Sequence, residues 1–114
     1  MAITTVDLAG RTNADWRAEL RFEDDAGDPI DLTGYTPRID IVDATGRRLL
    51  QLRTTGNVLT LDGAGGVLSI AVGKAVMATL PPGAHRWDLQ MEKAGAFDVL
   101  AGGLVVIEQG LTDV

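Results

Sequence analysis

Alternation of apolar and polar residues is the dominant pattern in this chain, and it predicts β-strands. From residue 86 to residue 92, charged and polar side chains alternate with the apolar Trp87, Leu89 and Met91, so one face of the segment is apolar. Residues 93–96 have the composition of a turn, and 97–109 predict a returning strand. We therefore expect a hairpin between the Pro-Pro-Gly break at 81–83 and residue 112, with its apolar face in the core and its charged face in solvent.

Shorter strands separated by turn signals are predicted along the rest of the chain. The segment 15–23 alternates strictly, with apolar residues on one face at Trp16, Ala18, Leu20 and Phe22. We predict further strands at 2–8, 38–42, 47–54, 58–61 and 67–72, with 2–8 at a sheet edge and a break at 10–13. Gly46 suits a hairpin loop that needs a positive φ. Residues 73–80 predict about two turns of helix.

These elements predict an all-β fold of eight or nine short strands, with one short helical turn near 74–80. Turn signals recur about every 8–12 residues, which is typical of an antiparallel sandwich or barrel. The 114 residues suffice for one hydrophobic core, and no linker or repeat divides them. We therefore predict a single domain spanning 1–114.

Composition restricts the possible functions. The net charge of −6 disfavours binding to nucleic acid, because an acidic surface repels phosphates. The absence of cysteine excludes disulfides, thiolate metal sites and a cysteine nucleophile. No apolar run approaches the ~20 residues of a membrane helix, and no leader pattern opens the chain. We expect no contact with membranes and synthesis in the cytoplasm.

The residues of catalysis occur in patterns that favour structural roles. Ser69 is the single serine and lies within a predicted strand, while His85 is the single histidine. A serine nucleophile needs an exposed position beside an oriented base, so a hydrolase is a remote alternative. The carboxylates of Glu19, Asp88 and Glu92 fall on polar strand faces, where we expect cross-strand Arg and Lys partners.

The sequence gives little support for a metal site or a phosphate site. An acidic segment contains Asp24, Asp25, Asp28 and Asp31, but Pro29 and Ile30 interrupt it and no glutamate ends it as a calcium loop requires. Glycines at 63, 65 and 66 lack the Lys-Ser/Thr and the helix of a phosphate loop. We predict turns at both places, with no metal and no cofactor.

Aromatic residues bear on the possibility of sugar binding. Trp16, Phe22 and Trp87 fall on apolar faces and are predicted to be core residues. Tyr35 lies in a predicted loop and is the aromatic residue that could stack against a sugar ring. A carbohydrate-binding or adhesion module therefore remains an alternative, to be tested by glycan binding and its loss in Tyr35→Ala.

An ordered set of segments resembles a known group of proteins. The set comprises DDAGDPIDLTG at 24–34, the strand 37–42, LDGAGGVLSI at 61–70, and LPPGAHRWDLQMEKAGAFDVLAGGLVVIEQGLT at 80–112. It is similar to small tail and baseplate proteins of tailed phages and prophages, and most of all to the N-terminal β-sandwich domain of the upper baseplate protein. The resemblance covers residues 16–112. In that group the domain is often followed by a fibre segment, whereas this sequence stops at Val114.

The resemblance implies an immunoglobulin-like antiparallel β-sandwich that assembles rather than catalyses. The chain is then a virion protein of the tail, baseplate or connector, made in the host bacterial cytoplasm. Its expected partners are other virion proteins and further copies of itself in a ring or fibre assembly. The expected contact residues are Asp28, Tyr35, Arg47 and Arg48. A decoration protein of the capsid or a fibre base is a further alternative.

Overall fold

The computed structural model describes residues 4–110, which form a β-sandwich. The described part contains nine strands, a short helix α1 at Lys74–Met77 and a 3-10 turn at Thr55–Asn57. The strands are β1 Thr4–Thr5, β2 Leu8–Arg11, β3 Trp16–Arg21, β4 Thr36–Val42, β5 Arg48–Leu52, β6 Leu59–Asp62, β7 Val67–Val72, β8 Gly83–Lys93 and β9 Ala96–Glu108. The prediction of an all-β sandwich is confirmed.

The strands divide between two sheets. The larger sheet has the order β1-β9-β8-β4-β5, with β2 following β1 along the same edge of β9, and the smaller sheet has the order β3-β7-β6. Apart from the first strands, this is how variable-type immunoglobulin domains divide C, C′, F and G from B, D and E. Pairing is antiparallel throughout the described sheets except at β1 and β2, which run parallel to β9.

The core lies between the sheets and contains the residues that the alternation predicts. The smaller sheet's side of the core contains the buried side chains of Trp16, Leu20 and Phe22. The larger sheet contributes the buried side chains of Trp87, Leu89 and Met91. Each strand presents alternate side chains to one face, so apolar side chains at every second position meet in one layer. The predicted core faces of both segments are confirmed.

The β8–β9 hairpin has the turn that its sequence predicts. Only Ala94 and Gly95 separate the two strands, and both have positive φ, of 52° and 83°. Two consecutive positive φ values are typical of the type I′ turns that suit the twist of paired strands. The expected positive φ at Gly46 is also confirmed, at 86°.

The first strand differs from its prediction. Of the predicted strand 2–8, residues 2 and 3 lie outside the described residues, and the remainder is interrupted at Val6 and Asp7. The predicted break at 10–13 is wrong for Gly10 and Arg11, which belong to β2. Gly10 serves close packing rather than a turn, because a Cβ there would lie 2.8 Å from the Cε of Met77.

The helical segment is shorter than the two turns predicted for 73–80. Helix α1 covers Lys74–Met77, and its first backbone N–H, at Lys74, donates to the Asp15 carboxylate at 2.8 Å. Met77 and Leu80 are buried, so the segment covers one end of the core.

Candidate functional site

The outer face of the larger sheet carries the candidate site. On this face, residues opposite one another on β4, β8 and β9 form rows across the strands. The Arg86 row consists of Val42, Arg86 and Leu104, and the neighbouring Asp88 row consists of Asp40, Asp88 and Gly102. The strict alternation of β8 produces this arrangement, because its even-numbered residues all point away from the core.

A bulge in β9 decides which residues join this face. The β8–β9 register shifts between Leu89 and Gln90, so that Leu89 pairs with Ala101 and Gln90 pairs with Val99. The extra residue, Leu100, is buried together with Ala101. Between the hairpin turn and the bulge the odd-numbered residues of β9 therefore point outward, whereas after the bulge the even-numbered residues do, so Val99 shares the outer face with Leu104.

The glycine pair in β9 opens this face. Gly102 contributes no side chain between Asp88 and the sheet edge. At Gly103 the backbone is approached by the first strand, and a Cβ there would overlap the carbonyl oxygen of Val6. Glycine within a strand is typical of such close backbone approach.

The result is a groove of about 720 Å³, which we name the outer groove. Its lining includes Asp40, Arg48, Arg86, Asp88, Gly103 and Leu104. Asp7 and Val42 contribute at its ends, and the Asp7 carboxylate accepts a hydrogen bond from the Leu104 backbone N–H at 3.2 Å. The outer groove thus combines charged side chains with an apolar wall.

Two carboxylates face each other in the outer groove with unequal partners. Asp40 is paired twice, with the Arg53 guanidinium at 3.0 Å and with the Arg48 Nε at 3.6 Å. Asp88 lies directly opposite Asp40, and no described residue forms an ion pair with it. Burial and, second, the charge of Asp40 raise the pKa of Asp88 above its usual value. The expected basic cross-strand partner of Asp88 is therefore wrong.

The other two carboxylates of that prediction do have basic neighbours. Glu92 accepts a hydrogen bond from Arg38 across the strands at 2.9 Å, which confirms the prediction there. Glu19 pairs with Arg21 of its own strand and lies opposite Ser69, so the predicted cross-strand partner is wrong there. Arg86, by contrast, has no ion pair in the part of the chain that the structure describes.

Exposed aliphatic side chains surround the outer groove. Val99, Leu104 and Val106 are exposed by 39%, 46% and 40%, although aliphatic residues are mostly buried in cores. All three lie on the outer face of β9. Phe97, at the hairpin tip, is exposed as well, and the Arg38 guanidinium lies 5.6 Å from its ring centre.

The four predicted contact residues do not form one site. Arg48 lines the outer groove, and Arg47 is exposed in the adjoining hairpin loop. Tyr35 precedes the opposite end of β4, where it is half-buried and carries the Lys93 ammonium 5.1 Å from its ring centre. Asp28 is exposed in the loop after β3. Their role in binding partners stays a prediction.

The acidic loop residues hold turns together. The Asp24 carboxylate accepts hydrogen bonds from the backbone N–H groups of Ala26 and Asp28, at 2.9 and 3.0 Å. The Asp31 carboxylate accepts from the Thr33 hydroxyl at 2.6 Å, and this bond lowers the pKa of Asp31. No group of three or more metal-binding side chains occurs among residues 4–110.

Ser69 and His85 lie in different sheets and point in different directions. Ser69 is on the outer face of the smaller sheet, whereas His85 is buried on the inner face of β8. The His85 Nε2 lies 2.7 Å from the Pro81 carbonyl oxygen, which fixes the chain at the start of the hairpin. The two side chains therefore cannot act as a nucleophile and its base. Within the described range, no helix has the length and apolar character needed to span a membrane.

Comparisons with known proteins reveal similarity of fold. No protein-family model matches the chain, and no curated protein matches it. The structure is similar to the N-terminal domain of phage TP901-1 ORF48, with a TM-score of 0.60 and 12% identity over 95% of this chain and 99% of that domain. At this identity the likeness concerns the fold.

Two further solved structures match the chain at lower TM-scores. One is CopC from Methylosinus trichosporium OB3b, with a TM-score of 0.48 and 15% identity over 98% of this chain and 89% of that one. The other is the Ig1-2 module of the Drosophila receptor protein tyrosine phosphatase DLAR, with a TM-score of 0.43 and 15% identity over 93% of this chain and 46% of that one.

The sequence predictions missed the outer groove. Alternation predicts that Arg86 and Asp88 share a polar face, but which residues of β4 and β9 lie beside them depends on the register between the strands. The signal present in the sequence is the Gly102-Gly103 pair within a predicted strand, which favours a bulge or a close backbone approach.

Proposed function

We propose that this chain is a structural component of a tailed-phage or prophage virion, in the tail, baseplate or connector, where it binds neighbouring virion proteins. The observation that carries the proposal is the shared fold with the N-terminal domain of a phage protein, which extends over 95% of this chain. The ordered segments from residue 16 to residue 112 support the same assignment independently of the coordinates.

The surface of the chain supports a role in assembly. The larger sheet has two edges, formed by β1 and β2 on one side and β5 on the other. An edge strand offers unpaired backbone groups to which a neighbouring protein can add a strand. Arg47 and Arg48 lie at the β5 edge, where they provide positive charge on an otherwise acidic chain.

The test is to look for the chain in particles. We expect mass spectrometry of tailed particles, purified from the cell that encodes it, to detect the chain in a fixed ratio to other tail proteins. Antibody labelling in the electron microscope should locate it on the tail. Particles that lack the chain, or a gene neighbourhood without tail, portal or capsid genes, would contradict the proposal.

A further inference from the structure

We propose that two copies of this chain associate face to face through the outer face of the larger sheet. The two-fold axis lies in the interface, runs across the strands and passes between the Arg86 row and the Asp88 row. An isologous contact requires a surface that is complementary to itself, because every contact between two residues occurs twice, once in each direction. The inference rests on this surface and stands apart from the virion role.

The charges of the two rows fit this symmetry. Rotation about the axis places the Arg86 row of one copy over the Asp88 row of the second. Arg86 of each copy then meets Asp88 of the other, which gives two reciprocal ion pairs. Both side chains lack an ion pair in the described chain, so the contact pairs them without breaking an existing bridge.

The shapes of the rows fit as well. Along β9, the same rotation places the Leu104 side chain of one copy over Gly102 of the second. Leu104 projects from the sheet with 46% of its surface exposed, while Gly102, opposite Asp88 on the same face, has no side chain to fill the space above it. The same two-fold rotation therefore places the projecting side chain of each copy over the gap in the other copy.

The next rows bring aliphatic side chains together. Val106 lies beside Ala84, and Val99 lies beside Gln90. Since residues 84 and 90 are equally far from the axis between 86 and 88, Val106 of one copy faces Val99 of the other. The three exposed aliphatic residues of the β9 outer face would all be covered, and the burial of this apolar surface favours association.

The charge of Asp40 does not oppose the arrangement at short range. Asp40 would face Val42 of the second copy, but Arg48 and Arg53 already neutralise its carboxylate. The net charge of −6 on each copy produces a general repulsion. This repulsion is screened beyond about 8 Å at physiological salt.

Charge exchange tests the proposed contact. Sedimentation equilibrium at 0.15 M salt should show that the wild-type chain dimerises as its concentration rises. Arg86→Asp and Asp88→Arg should each raise the dimer dissociation constant about tenfold or more, because each variant juxtaposes like charges. An equimolar mixture of the two variants should form a heterodimer, since every pair is then opposite in sign.

Arg17→Asp, on the smaller sheet, is the matched control and should leave dimerisation unchanged. Circular dichroism and thermal unfolding of each variant verify the fold. A wild-type chain that stays monomeric up to about 0.5 mM would overturn the inference. So would a dimer that both single variants preserve, or variants that fail to associate when mixed.

Discussion

The indole N–H of Trp87 donates a hydrogen bond to the carbonyl oxygen of Val6 at 3.0 Å, which joins the last hairpin to the first strand. Val6 lies where the first strand is interrupted, and its own N–H donates to the Gly102 carbonyl oxygen at 2.9 Å. A buried tryptophan needs a hydrogen-bond partner, and a backbone carbonyl away from solvent needs a donor. The contact therefore holds the parallel strand against β9.

Trp87→Phe should test this contact. The variant keeps an aromatic ring in the core but leaves the Val6 carbonyl without its indole donor. We expect the free energy of unfolding to fall by about 1–3 kcal/mol for the unsatisfied group, and further for the smaller ring. Urea unfolding gives the value. Trp16→Phe removes similar volume without such a bond, and an equal loss in the two variants would contradict the role of the Val6 contact.

Gly103→Ala should displace the first strand. The added methyl group would overlap the Val6 carbonyl, so we expect a loss of about 1–3 kcal/mol and a shift of the Trp87 indole proton in NMR spectra. Gly73→Ala is the control, because a Cβ at Gly73 meets nothing within 4 Å and its φ is −70°. Two variants of equal stability would show that β1 and β2 adapt freely.

Ala94→Asn should stabilise the β8–β9 hairpin. Alanine at a φ of 52° is strained, whereas asparagine adopts this conformation more readily and Asn-Gly is the preferred type I′ sequence. We expect the free energy of unfolding to rise by roughly 0.5–1 kcal/mol, measured by thermal or urea unfolding. Ala44→Asn, in the loop before Gly46, is the control and should give no comparable gain.

Asp88→Asn should stabilise the chain in a pH-dependent way. Because the folded state raises the pKa of Asp88, it holds the proton more tightly than the unfolded state. Ionisation of Asp88 therefore lowers the free energy of unfolding as the pH rises through the raised pKa. The variant should gain less than about 1 kcal/mol at neutral pH.

This gain should disappear below the ordinary value of 3.8, where both states are protonated. Urea unfolding at several pH values, at protein concentrations too low for association, gives the profile. Asp98→Asn, in the same hairpin, is the control. If the stabilisation by Asp88→Asn increased towards low pH, ionisation of Asp88 could not be what destabilises the wild-type fold.

Local patterns in the sequence predicted the strands and the side of each strand that is buried. The alternation around Leu20 and around Leu89 is enough to place these residues in the core, because a strand repeats every two residues. The turns at Ala94-Gly95 and Gly46 were equally local, since positive φ strongly favours glycine and few other residues. Such features depend on neighbours within a few positions.

The tertiary structure alone decided the features that depend on distant pairing. Residue parity groups Val99 with Val105 and Ile107 on the inner face, but the bulge at Leu100 turns Val99 outward. Likewise, β4–β8 register places Asp40 opposite Asp88, and the parallel pairing brings Val6 to Trp87. Register between segments far apart is set by the packing of the whole core, so periodicity predicts the strands and their faces but cannot align one strand with another.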